Sequence, residues 1–181
     1  MKTRMRDVFM VACLMIFVIG LSGCGKKGEY KGFVPVTKAE AETFATQLVE
    51  KFKQGDKKPF FDFGTNYDAS DAFAHLTNPD IDAQMKEVNA QMKAAGMQTL
   101  DDMSAEQRKT LMDGIVTMNH AYFDSLKSVE FVETKEELGI MAVVIDCQFD
   151  QTSKLKLKEQ KFTLMLLKKK STGEIVVASH H

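Results

Sequence analysis

Cys24 is the residue whose chemistry its neighbours define best. It stands in Leu21-Ser22-Gly23-Cys24-Gly25, directly after an uncharged apolar run over 8–20. A thiol, as thiolate, is a strong nucleophile and can take up an alkyl group. The run follows Lys2, Arg4 and Arg6, opposed only by Asp7. A basic start, a short apolar stretch and small residues at its end are the marks of a secretory signal peptide. The run is short of the roughly 20 apolar residues that a membrane span needs. A cut after Gly23 leaves Cys24 as the new first residue. The competing readings are a secreted protein with a chance cysteine and an anchor that is never cut.

The other residues able to do chemistry are scattered. His75 and His120 are the candidate acid–base groups, with Asp71, Asp124 and Asp146 as possible carboxylate partners. His120 lies four residues before Asp124, so both share a helix face, and a carboxylate there could orient the imidazole. Such pairs are commonly solvated surface pairs. His75 precedes a turn and reads as a polar rim residue. His180-His181 at the tail could hold zinc or copper loosely, but a structural site needs about four ligands. The pair also fits the start of a tag. Of the methionines after residue 23, Met85, Met92, Met112 and Met118 fall in helical apolar stripes. That spacing favours core filling over soft-metal binding. Cys147 sits in an alternating apolar run and reads as a buried, inert thiol. A reactive thiol would need a basic partner, and none is visible. No phosphate loop, nucleophile elbow or zinc-protease helix is present. The expectation is a chain without catalytic motif, metal site or cofactor.

Without residues 1–23, 158 of the 181 residues remain, with 21 basic and 24 acidic side chains. That length suits one domain and a core that needs no staples. The slight acidic excess excludes the basic field on which nucleic-acid binding depends. If Cys13 leaves with the leader and Cys24 is alkylated, Cys147 has no partner for an internal disulfide.

These groups must be carried by elements, and the pattern supplies them. Residues 24–36 are expected as a flexible tether that opens, after Cys24, with the Gly- and Lys-rich GKKGEYKG, its lysines either solvated or near anionic headgroups. Thr37 to Glu40 matches a capping box, and Ala41, Phe44, Ala45, Leu48, Val49 and Phe52 share a face, so a helix is expected over 38–54. Phe60, Phe61 and Phe63 follow Pro59 and read as core, or as an aromatic shelf for a ligand. A short helix is expected over 70–76. Asn78 and Pro79 read as the cap and first residue of a further helix carrying Ile81, Met85, Val88 and Met92. Ser104 to Gln107 is a second capping box, followed by a stripe of Leu111, Ile115, Met118, Tyr122 and Leu126, widened by Met112 and Phe123.

Near residue 128 the period changes from 3.6 to 2. Strands are expected over 128–134, 140–150, around 155–167 and over 174–180. Strand 140–150 carries apolar residues on both faces over its first half. Leu155 and Leu157 are out of phase with Phe162 and Leu164, so a turn or bulge is expected near Glu159–Lys161. Lys168-Lys169-Lys170 reads as a solvated edge or turn. Helices followed by a meander of three to five antiparallel strands make an α+β fold.

Two resemblances follow from these residues. Leu21-Ser22-Gly23-Cys24, at the end of a basic-then-apolar leader, resembles the lipobox of bacterial lipoproteins. It implies removal of residues 1–23, a diacylglyceryl group on Cys24, and a cell-envelope address outside the cytoplasm. Gly25 is not the aspartate that retains such proteins in the inner membrane, so an outer-membrane address fits a Gram-negative source. The long first helix ending in Gln54-Gly55-Asp56, the aromatic short helix and the final meander over 37–179 resemble the NTF2-like (cystatin-like α+β roll) superfamily. The helical stretch 79–103 is longer than that family usually has.

The roll implies a concave sheet face, with Met141, Val143, Phe162 and Leu164 lining a pocket or filling a core. The chain is expected to be a lipid-anchored domain, residues 37–181, that binds membrane lipid through Cys24 and a protein partner or apolar small ligand through its surface. The alternatives are an NTF2-like enzyme using His120 or His75, and a structural subunit of an envelope assembly.

Overall fold

The computed structural model describes residues 32–96, 98–99, 102–150 and 159–181. The leader and Cys24 lie outside them. The first element is a short strand, β1 (Phe33–Pro35). It falls inside the span expected as tether, yet Phe33 and Val36 are both 5% exposed. The folded domain therefore begins no later than Phe33.

Helix α1 (Lys38–Lys53) starts on the expected capping box. Glu40 N–H donates to Thr37 Oγ1 at 3.3 Å, and Thr37 N–H donates to Glu40 Oε2 at 2.9 Å. Both bonds satisfy donors that a helix start leaves open. Its most buried residues are Ala41, Ala45 and Leu48, flanked by Phe44, Val49 and Phe52. The small alanines let the helix sit close to the sheet. Gly55, at φ 86°, turns the chain out of the helix.

A single turn, α2 (Lys58–Phe61), carries Pro59. Helix α3 (Tyr67–Thr77) is longer than residues 70–76, because Asn66 caps it by accepting from Ala69 N–H at 3.0 Å. Asn78 closes α3 rather than opening the next helix: its N–H donates to Ala74 O at 2.9 Å. Its side chain accepts from Asp80 N–H at 3.0 Å, and α4 (Ile81–Ala94) starts just beyond. Helix α5 (Ala105–Phe123) opens on the Ser104–Gln107 capping box.

The buried face of α5 differs from the expected stripe. Phe123 is 1% exposed, as its place in the widened stripe implies, but Met118 is 38% exposed and Asn119 2%. Leu126 is already the first residue of the next strand. The helix has turned by one position because Asn119 is buried for its hydrogen bonds. Its Nδ2 donates to Phe61 O at 3.0 Å and to Phe63 O at 2.9 Å. Neither carbonyl then lacks a partner in the interior.

Four strands follow: β2 (Leu126–Glu137), β3 (Ile140–Phe149), β4 (Glu159–Lys169) and β5 (Ile175–His180), all antiparallel to their neighbours. Leu138 and Gly139 join β2 to β3 with φ 54° and 76°. Two positive φ values in a two-residue loop match the twist of the flanking strands. β4 has three neighbours. It pairs with β3 over residues 159–165, with β5 over 164–168 and with β1 over 167–169. β5 overlaps both of the others along β4, so β1 prolongs the edge that β3 leaves.

Pairing of β3 with β4 runs without a shift through Glu159–Lys161. The expected bulge is therefore not at those residues, and Leu155 and Leu157 lie outside the described ones. Shifts do occur at Lys127 and Val132 in β2 and at Ala178 in β5. The Ala178 carbonyl accepts from Ser70 Oγ at 2.8 Å, which fastens α3 to β5.

The fold is α+β, with a curled antiparallel sheet covered by helices. One sheet face packs Val143, Ile145, Cys147, Phe149, Leu164 and Leu166 with α1, α2 and α5 residues. The other buries Ile140, Ala142, Met165 and Leu167 with Ala69, Ala72 and Phe73 of α3. Beyond Val144 that second face becomes polar, at Asp146 and Gln148. β3 is thus apolar on both sides only where α3 reaches.

Candidate functional site

The face expected to line a pocket is filled. Val143 and Leu164 are cross-strand neighbours, each 0% exposed, and Phe162 is 4% exposed. Met141 packs against the same cluster. Phe60, Phe63 and Phe123 occupy the space above them, with ring centroids 5.4–5.8 Å apart. Phe123 also lies 5.2 Å from Phe162. These distances suit edge-on and tilted aromatic packing. Met141, Val143, Phe162 and Leu164 are core residues here, and Phe60 and Phe63 are core rather than a ligand shelf.

His180 completes this aromatic group. Its ring lies 5.8 Å from Phe63, 6.4 Å from Phe162 and 6.5 Å from Phe123. Burial, aided by the charge of His181, pushes its pKa down. It is the last residue of β5, and His181 exchanges backbone hydrogen bonds with Thr163 at 2.7 and 3.1 Å. His180 ends the strand with its ring among the aromatics, and His181 is exposed just beyond it, tied to Thr163 by its backbone. Their place at the chain end hid this. The alternation Val177, His180 across a bulge gives no signal that an imidazole enters the core.

The other candidates stand apart from one another. His120 is exposed and stacks on Phe61 at 3.6 Å. The Lys57 ammonium donates to the backbone carbonyl of Asp124 at 2.6 Å. His75 Nε2 is 3.5 Å from Asp71 Oδ1, and its Nδ1 is 3.8 Å from Asp82 Oδ1. The imidazole thus bridges α3 and α4. Asp146 lies across from Lys161 on the polar sheet face. Burial, then the Asp146 charge, pushes the Cys147 thiol up to about 12, the inert state expected. Among the described residues no group of three or more His, Cys, Asp or Glu could hold a metal.

Lys168 is half-buried and pairs with Glu40 Oε1 at 2.6 Å, and Lys169 pairs with Glu174 at 2.5 Å. The lysine run therefore has structural partners in addition to solvent.

What remains open lies at the outer edge of the sheet. β2 pairs with β3 alone among the described strands. The shift at Val132 leaves Phe131 and Val132 37% and 44% exposed. Beside them a groove of about 470 Å³ runs between α1 and β2, lined by Val49, Phe52, Lys53, Lys127, Glu130 and Phe131. Neither His75 nor His120 lines it. The sequence shows this strand as ordinary alternation, since SVEFVET carries no mark of the extra residue.

Against known protein families, curated proteins and solved structures, the chain shows no match. No described helix is long and apolar enough to cross a membrane.

Proposed function

We propose that this chain is a lipid-anchored protein of the bacterial cell envelope, which presents a small binding domain on a short tether. The observation that carries the reading is the leader: a basic start, an uncharged run and Leu21-Ser22-Gly23-Cys24. The diacylglyceryl chains on Cys24 would supply the anchor. Each buried methylene contributes roughly 0.8 kcal/mol, so two chains hold where one binds reversibly. The curled, helix-covered antiparallel sheet is consistent with an NTF2-like roll, and the order of its elements supports that superfamily.

The filled sheet face favours a protein partner over an apolar ligand held inside. Surface recognition is then the activity, and the exposed strand edge is its best-formed surface. The enzyme reading with His75 or His120 has less support, because the first bridges two helices and the second stacks on Phe61 at the surface.

The reading is tested by membrane fractionation of the full-length protein and of Cys24→Ser. The native chain is expected in the membrane fraction and the variant in the soluble or unprocessed fraction. Identical fractionation and mass for the two would contradict lipid anchoring.

A further inference from the structure

We infer that the outer edge of β2 is a docking site for an extended segment of a partner protein, one carrying an apolar pair flanked by Lys or Arg. The inference deepens the proposed binding role and rests on it for its context. An edge strand directs half of its backbone N–H and C=O groups away from its single neighbour. An added strand can pair with those groups while its side chains enter pockets beside the edge. Here the groove between α1 and β2 supplies such a pocket, with Val49 and Phe52 on one wall and Phe131 at the rim.

Proteins blunt an edge with charged side chains or with a bulge, and β2 carries both, but its second bulge also brings apolar residues to the surface. At this bulge stand Phe131 and Val132, two of the three large apolar residues exposed among the described ones. They are consecutive, and a bulge lets both face outward.

Charge selects the occupant. β2 reads LKSVEFVETKEE, with two lysines and four glutamates. Glu130 and Glu133 flank the apolar pair and are exposed. Lys127 is held by Asp150 at 3.4 Å, and Lys53 lies in the last turn of α1, where it offsets the helix dipole. A second copy pairing through β2 would add another net −2 to the same edge and face like charges across it. A basic partner strand would meet Glu130 and Glu133 with opposite charge.

The test is selection of a display library of random decapeptides on full-length protein in detergent. Expected winners carry two neighbouring apolar residues flanked by Lys or Arg. N-methylation of alternate amides should abolish their binding, since strand addition needs those donors. Glu130→Lys with Glu133→Lys, both surface changes, should weaken binding about tenfold while thermal unfolding stays unchanged. Winners without basic flanks, winners that tolerate N-methylation, no winners at all, or self-association lost on charge reversal would each overturn the docking site. Membrane fractionation of the same protein is scored separately. An anchored chain that selects no peptide overturns the docking site alone, and a peptide-binding chain without lipid overturns the anchor alone.

Discussion

The Lys168 ammonium lies 2.6 Å from Glu40 Oε1, which joins the capping box of α1 to the central strand β4. The hydrogen bond from Lys168, then those from Thr37, hold the Glu40 carboxyl at a pKa of about 2. A carboxylate with a depressed folded pKa stabilises above its unfolded value and loses that contribution as pH falls through the folded one. Stability should therefore decline between about pH 4.5 and 2. Glu40→Gln should remove that part of the acid limb and cost about 1 kcal/mol at neutral pH, since the pair is half-exposed and screened. Chemical denaturation across this pH range checks both.

His180 gives a second, separate dependence. Burial lowers its folded pKa below the usual 6.5. The unfolded chain then takes up the proton first, so stability falls as pH drops below about 6.5 and levels off below the folded value. His180→Leu keeps the site apolar and should flatten that segment while leaving the Glu40 segment in place. Urea midpoints from pH 8 to 5 for both proteins measure it.

Asn119 holds the α2 turn by donating to Phe61 and Phe63 carbonyls. Asn119→Ala leaves two interior carbonyls without a partner and should cost about 2–3 kcal/mol. Met118→Ala, one residue away but exposed, should cost well under 1 kcal/mol. Equal costs for the two would contradict the placement of α5.

The capping boxes at Thr37 and Ser104 were legible because four residues suffice to specify them. The β2–β3 hairpin was legible because the period changes at one point. β1 was not, since three residues between Gly32 and Lys38 show no period and include a proline. Asn78 misled because asparagine suits either end of a helix, and only the backbone shows which one it closes. On α5 the stripe shows Phe123 but not the burial of Asn119 in place of Met118, because that burial depends on carbonyls 56 and 58 residues away. The open edge at Phe131 and Val132 was hidden for a similar reason. A bulge is a relation between two strands and leaves no trace in one.

Cys147 should be silent to thiol reagents in the folded protein. A thiol pushed up to about 12 has a thiolate fraction on the order of a thousandfold below that of an ordinary cysteine near neutral pH. In denaturant it should react fully. If Cys24 is alkylated and residues 1–23 are gone, the denatured mature protein should show one reactive thiol, not two.

Lipid anchoring is tested most directly by the intact mass of the protein extracted from its native membrane, with fragmentation of its first residues. A lipid-anchored protein should give a chain that begins at Cys24 and carries at least a diacylglyceryl group on Sγ. A chain that still begins at Met1, or one with an unmodified Cys24, would contradict lipid anchoring.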